Sequence, residues 1–192
     1  MKTVLSDLLK DAAPRAVVDV FESYGVRLKE RPNPPPTPAL VQEAAGGAAI
    51  VAGVVGFNGS ELRGTVLLAT TFELAAMARP ANLRKKPLST NSAVDWIFIR
   101  DWVGELSNQT IGRMKNKVSR FGVAFDVSPP AAFSGCALTF ALPKSPAVQH
   151  FAFTVDGGTV WLCLDAFFDN ARALTAGSPD ASIAEGKVVV FE

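Results

Sequence analysis

The sequence predicts an α+β fold, a two-layer sandwich of long helices on a largely antiparallel sheet. Three observations predict it. Apolar residues recur at helical spacing near the N terminus and again in the middle of the chain. Short apolar runs joined by glycine-bearing turns favour hairpins, and therefore antiparallel pairing. The order of elements in the first half reappears in the second half, which indicates an internal duplication.

Composition favours one cytoplasmic domain, residues 1–192. Of the 192 residues 48% are hydrophobic, which is enough for a substantial core. The formal charge of +1 provides no global field that would attract nucleic acid or an anionic membrane. The N terminus lacks the continuous apolar core of a secretory signal, and the most apolar run, Ala44–Phe57, is too short for a spanning helix. We therefore expect no nucleic-acid partner and no membrane insertion.

The first half reads as helix, strand, hairpin and short helix. Lys2–Tyr24 has helical periodicity with a kink or break near Pro14, and Gly25 ends it. Residues 26–30 are a strand candidate, and the proline-rich segment 31–38 predicts a stiff connection, with an SH3-type ligand as the alternative. The remaining predictions are a hairpin of strands 48–57 and 64–69, a short helix at 71–78, and a basic loop at 81–91.

The second half repeats this order. A long amphipathic helix begins at Ala93, and residues 121–127 leave it as an extended segment before Pro129 and Pro130 force a turn. We predict strands at 136–143, 150–155 and 159–164, a short helix at Asp165–Leu174, and an edge strand or tail at 187–191.

Two repeated patterns support the duplication, with halves of about 1–92 and 93–192. Gly64-Thr-Val recurs 94 residues later at Gly158, and Gly25-Val recurs 97 residues later at Gly122. The offset of 97 residues maps the long helix onto the first one. It places Leu8 and Asp11 opposite a polar pair of the long helix, Glu105 and Asn108, and neither residue matches, so the chain should carry one working site.

That polar pair lies on one predicted face of the long helix. A carboxylate and a carboxamide at i and i+3, Glu105 and Asn108, are close enough to act on one object. An amide both donates and accepts, so it can hold a water in line with a phosphoryl group, while the carboxylate can pair with a cation of a partner. The same face holds Asp101, Gly112 and Lys115, and the buried side should hold Val103, Leu106, Thr110, Met114 and Val118.

The sequence gives little support for a reactive cysteine, a metal site or a serine triad. The two cysteines, Cys136 and Cys163, are expected as small core residues. His150 is the single histidine, without a cluster of metal ligands or a serine triad around it. Of the remaining polar-face residues, Asp101 suits a helix N-terminal charge as well as a site role, and Lys115 suits either steering of an acidic partner or ordinary surface pairing.

The pattern D-x3-E-x2-N, present from Asp101 through Glu105 to Asn108 and followed by prolines, resembles the motif of the CheC/CheX/FliY chemotaxis phosphatases. The FNGSELRGTVLLATTFELAAMA block before the helix and the strand–turn–strand block after it resemble the CheX branch, in a CheC-like fold. The resemblance implies a partner, a phosphorylated CheY-like receiver domain of two-component signalling. It also implies that Asn108 orients the hydrolytic water, that Glu105 contacts the receiver's active-site lysine, and that Mg²⁺ belongs to the receiver.

The same resemblance implies no cofactor of the chain's own and permits a homodimer. Asp101, Gly112 and Lys115 would then contact the partner. The chain departs from the family pattern at Pro129 and Pro130, which follow the asparagine one or two residues early. Two alternatives stay open: a non-catalytic adaptor of the same fold that binds a receiver or the flagellar switch, and an interaction module acting through residues 31–38.

Overall fold

The computed structural model describes residues 4–31, 48–135, 138, 148–155 and 158–168. Within them the helices are α1 (Leu5–Ser23), α2 (Phe72–Met77) and α3 (Ala93–Ser119), with a 3-10 turn at Ala81–Leu83. The strands are β1 (Lys29–Arg31), β2 (Ile50–Asn58), β3 (Leu62–Thr71), β4 (Asp126–Val127), β5 (Ala131–Gly135), β6 (Val148–Val155) and β7 (Gly158–Phe168).

The described strands form one antiparallel sheet. Its order is β1-β6-β7-β3-β2, and β4 and β5 both pair with the remaining edge of β2. The hairpins β2–β3 and β6–β7 lie side by side because β3 pairs with β7 along nearly its whole length. The α+β class and the antiparallel sheet are therefore confirmed.

Helices α1 and α3 pack on one face of the sheet. Because strand residues alternate between faces, Val55, Val66 and Leu162 join the helices in the main apolar core. An ion pair of 2.8 Å between Lys117 and Asp19 links the two helices. The opposite face carries a second buried cluster, which consists of Ile50, Ala52, Leu67, Ala69, Ala152, Trp161 and Cys163.

The two halves are arranged with approximate twofold symmetry. Leu68 and Leu162, which are 94 residues apart, face each other in the β3–β7 pair. Strand β1 pairs with β6 of the other half, as β4 pairs with β2. Both long helices are followed by a glycine of positive φ, 75° at Gly25 and 77° at Gly122, where a side chain would be strained. This arrangement favours the duplication, which stays a prediction, as does the single-domain boundary.

Most predicted elements are confirmed with shifted ends, and two expectations are wrong. The first helix continues through Pro14, so a break there is excluded, whereas the kink stays a prediction. Residues 165–168 continue strand β7 instead of starting a helix, because their backbone pairs with β3 as far as Leu62↔Phe168. Tertiary pairing overrides the local signal of Asp165 there.

Two further segments begin or end differently from their predicted ranges. The strand predicted at 26–30 is limited to Lys29–Arg31. In the segment after the long helix, only Asp126–Val127 is strand, since the turn with Gly122 precedes it. The proline-rich residues 32–38, the strand at 136–143 apart from Leu138, and the predictions for 169–174 and 187–191 lie outside the described residues.

Candidate functional site on helix α3

The start of α3 is fixed by side-chain caps. Ser92 Oγ accepts a hydrogen bond of 3.2 Å from the Asp95 backbone N–H, which occupies one of the free donors of the first turn. The buried Asp95 carboxylate in turn accepts from the Ser89 N–H at 3.0 Å. The next residue, Trp96, packs at a tilt against Phe72 of α2 with ring centroids 4.8 Å apart. These contacts fix the residue at which α3 begins and the orientation of its first turn.

The structure places the predicted residues on the expected sides of α3. Glu105, Asn108 and Asp101 are exposed, and Gly112 and Lys115 are partly exposed. The residues predicted for the buried side are all buried, namely Val103, Leu106, Thr110, Met114 and Val118. The single helical face is therefore confirmed, whereas the roles of its residues stay predictions.

The Glu105 carboxylate is held by neighbours on two helices. Its Oε1 accepts a hydrogen bond of 2.8 Å from Nε2 of Gln109, one turn later on α3. The Oε1 of the same Gln109 accepts a hydrogen bond of 3.0 Å from the hydroxyl of Tyr24, which follows the last residue of α1. The ring of Tyr24 packs edge-on against Trp102 with centroids 5.0 Å apart. One side of Glu105 is thus tied to the end of the first helix.

Asn108 and Gly112 leave the centre of the face open. Within the described part of the chain, no hydrogen bond occupies the Asn108 carboxamide. A Cβ added at Gly112 would meet no described atom within 4 Å. An amide with all its donors and acceptors available, beside a position without a side chain, can be approached closely by another molecule.

Asp101 and Lys115, at the two ends of the face, have weak contacts within the chain. Lys115 Nζ lies 4.0 Å from Asp126 Oδ1 and 5.9 Å from the centroid of the Phe125 ring. Asp101 lies 3.6 Å from Arg100 Nε. Exposed pairs of this kind contribute about 0–1 kcal/mol, so both residues can exchange these contacts for those of a partner.

The backbone beneath the site packs against the sheet and the β4–β5 turn. Gly53 of β2 lies directly under Ser107, and an added Cβ there would be 2.2 Å from Ser107 Oγ. A Cβ at Gly104 would lie 3.6 Å from Ala132 Cβ of β5 and 3.8 Å from Pro130 Cγ. The turn of α3 that carries Glu105 and Asn108 therefore rests on β2 and beside β5 and Pro130.

The sequence interpretation missed two groups of residues near the pair. Gln109 stands at i+4 from Glu105, a spacing that indicates side-chain contact, but Tyr24 gives no local signal because it belongs to another helix. The second group consists of exposed apolar residues on the first turns of α3. The exposed fractions of Val94, Ile97 and Phe98 are 71%, 52% and 37%. At 100° per residue, these three residues lie on the same helical face as Glu105. Projecting the sequence onto a helix would therefore have identified them.

Titratable groups elsewhere do not form a second reactive centre among the described residues. Burial, with a smaller contribution from the charge of Asp165, raises the pKa of the Cys163 thiol to about 12, and the thiol is free. Burial lowers the pKa of His150. No three acidic, histidine or cysteine side chains of the described chain are grouped so that they could hold a metal ion. None of the described helices is long and apolar enough to cross a membrane.

Known proteins resemble this chain in sequence and in fold. The family model for the chemotaxis phosphatase CheX matches residues 51–154. No curated protein matches the sequence.

Three solved structures share the fold with this chain. A CheX chemotaxis protein of Vibrio vulnificus has 18% identity and a TM-score of 0.64, covering 83% of this chain and 96% of that one. For a CheC-like superfamily protein of Shewanella sp. PV-4 the values are 24%, 0.64, 83% and 97%. For CheX of Borrelia burgdorferi, in a complex with CheY, BeF3 and Mg²⁺, they are 16%, 0.60, 83% and 96%.

Proposed function

The chain belongs to the chemotaxis phosphatase CheX family, and we propose that it hydrolyses the aspartyl phosphate of a phosphorylated CheY-like receiver domain. The observation that carries the proposal is the pair Glu105 and Asn108. Both are exposed, one turn apart, on the accessible face of α3. The relative from Borrelia burgdorferi that was crystallised with CheY and Mg²⁺ supports a receiver as the kind of partner.

Asn108 is the residue proposed to position the attacking water. Its amide carbonyl can accept a hydrogen bond from the water, while its NH₂ group can donate one to an oxygen of the phosphoryl group. Such an amide is not consumed in the reaction, since its contribution is to hold the water in line with the bond that breaks. The vacant hydrogen-bonding capacity of Asn108 suits this role.

Glu105 is proposed to fix the orientation of the complex. A carboxylate one turn before Asn108 can form a charge-assisted hydrogen bond with the lysine of the receiver pocket. The Mg²⁺ that neutralises the phosphoryl oxygens would be bound by the receiver, so the chain needs no metal ligands of its own. The proposed site is completed only when the two proteins meet.

The docking surface is proposed to extend along α3 in both directions from the pair. Asp101, Gly112 and Lys115 lie along the same strip, and Gly112 permits close approach of the receiver backbone. Towards the N terminus, the exposed Val94 and Ile97 add apolar contact beside the polar centre. Apolar side chains next to a small polar cluster are the usual composition of a protein interface.

The proposal is tested with a receiver charged by acetyl phosphate, whose decay is followed with and without the purified protein. Asn108→Ala should lower the catalysed rate by roughly 10²-fold, because the water is no longer held in line. Asn116→Ala is the matched control: it removes the same functional group about 12 Å further along α3 and should leave the rate unchanged.

Two results would contradict the proposal. One is a receiver lifetime that the wild-type protein leaves unchanged. The other is an Asn108→Ala protein as fast as wild type. Binding of the phosphorylated receiver without faster decay would instead indicate an adaptor.

A further inference from the structure

We propose that Gln109 and Tyr24 form a positioning pair that holds the Glu105 carboxylate in one orientation before the receiver binds. This inference rests on the proposed function for its effect on catalysis. Its structural part concerns only contacts within this chain. It assigns a role in the site to the C-terminal end of α1, the helix in which the predicted duplication puts Leu8 and Asp11 at the positions of Glu105 and Asn108.

The chemistry of the three side chains fixes the direction of the chain of hydrogen bonds. A carboxylate can only accept, so the NH₂ group of Gln109 must face Glu105, at 2.8 Å. The carbonyl of Gln109 then faces Tyr24, whose hydroxyl donates to it at 3.0 Å. A flipped amide would turn its carbonyl oxygen towards the carboxylate and lose that bond, whereas the Tyr24 hydroxyl, which can donate or accept, fits the unflipped amide as a donor. Each bond thus supports the other.

Tyr24 is itself well anchored. Its ring packs edge-on against Trp102 at an interplanar angle of 82°. Its backbone carbonyl accepts a hydrogen bond from the guanidinium of Arg84, in the loop that leads into α3. The next residue, Gly25, ends the helical region with a φ of 75°. The hydroxyl that orients Gln109 is therefore presented by a part of the chain fixed from three sides.

A carboxylate that is already held in one orientation loses less conformational freedom when a partner binds than a mobile carboxylate does. An exposed glutamate on a helix samples several rotamers, and a partner that needs one of them loses that freedom on binding. Because Gln109 takes up Oε1, the second carboxylate oxygen stays available for a cation of the partner. We therefore expect the pair to act on receiver binding, and so on KM, more than on the chemical step.

A simple surface contact between residues i and i+4 is the competing explanation. Such a contact would stabilise α3 slightly without affecting receiver binding. It also gives no role to Tyr24, which is 85 residues away from Gln109 in sequence. The two explanations differ in their effect on KM and in their dependence on Glu105.

The kinetic test uses Gln109→Leu and Tyr24→Phe. Leucine removes the amide group while it keeps a high helix propensity, and phenylalanine keeps the ring that packs on Trp102. Each variant should raise KM for the phosphorylated receiver by about 3- to 10-fold, the size of the net contribution of one ordinary hydrogen bond, with kcat within about twofold of wild type. The control Asn116→Leu, which changes a polar residue of the same helix away from Glu105, should leave KM unchanged.

The decisive variant is each substitution repeated in the Glu105→Ala background. If the pair acts through Glu105, neither substitution should change KM further there, because the group that it positions is gone. Equal fold-changes in both backgrounds would overturn the proposal, as would a KM that neither substitution alters in the wild-type background.

A second measurement does not depend on activity. Nitrogen-15 relaxation of the Gln109 side-chain NH₂ group should report restricted motion in wild type and increased motion in both Tyr24→Phe and Glu105→Ala. An NH₂ group that is already mobile in wild type would overturn the positioning pair. If the protein shows no phosphatase activity but this group is restricted, the proposed function fails while the contacts stand, so the two failures are distinguishable.

Discussion

Replacing Gly53 by alanine is expected to destabilise the protein by lifting α3 from the sheet. An alanine Cβ at this position would lie 2.2 Å from Ser107 Oγ, 3.0 Å from Ser107 Cβ and 3.1 Å from the Val103 carbonyl oxygen. Rotating Ser107 away would relieve only the first contact and would break its hydrogen bond of 2.8 Å to Val103. The other two contacts involve atoms near or in the helix backbone, so the helix itself has to move.

Two opposing contributions decide whether Gly53→Ala stabilises or destabilises the protein. In an open strand, alanine is favoured over glycine by roughly 0.5–1 kcal/mol. Overpacking of a buried contact costs about 1–3 kcal/mol, which outweighs that gain at Gly53. For a chain of this size 1 kcal/mol corresponds to a change in Tm of about 2–4 °C, so we expect a Tm lower by several degrees. Gly112→Ala is the matched control, because its Cβ meets nothing within 4 Å, and it should raise the Tm by roughly 2–4 °C.

Thermal unfolding of the single variants and of the double variant Gly53→Ala/Ser107→Gly measures this contact. Removing the Ser107 side chain should reduce the cost of Gly53→Ala by about 1 kcal/mol or more, as the two residues are in direct contact. A Gly53→Ala protein as stable as wild type, or an equal cost with and without the Ser107 side chain, would refute the explanation.

Three other predictions follow from burial and exposure. Because the pKa of Cys163 is raised to about 12 by burial and by Asp165, its thiol should resist alkylation at pH 8 in the folded protein; rapid labelling of the Cys163 peptide, seen by mass spectrometry, would contradict this. The lowered pKa of His150 means that the unfolded chain binds its proton first, so stability should fall as the pH drops below about 6.5. A proton NMR titration of this single histidine that gave a value of 6.5 or higher would be inconsistent with its burial. Ile97→Asp should raise KM for the receiver several-fold with kcat unchanged, while Leu83→Asp, a control outside the face that is 42% exposed against 52% for Ile97, should not; equal effects would argue against docking through Ile97.

The sequence alone determined the helical face that carries Glu105 and Asn108. Its apolar residues recur every three to four positions, and this spacing is a local property that needs no knowledge of the rest of the fold. The hairpins were equally accessible, since glycine-bearing turns bring neighbouring strands together. The resemblance to the CheX branch depended on the same local motif, and the family match agrees with it.

Only the tertiary structure decided what supports that face. Tyr24 meets Gln109 across 85 residues of chain, and Gly53 meets Ser107 because β2 passes under α3. Residues 165–168 are strand because β3 pairs with them, although their local sequence suggested a helix. Such contacts depend on register and on how elements pack, which residue spacing does not encode. The sequence therefore specified the exposed pair Glu105 and Asn108, and the fold specified which neighbours hold the Glu105 carboxylate.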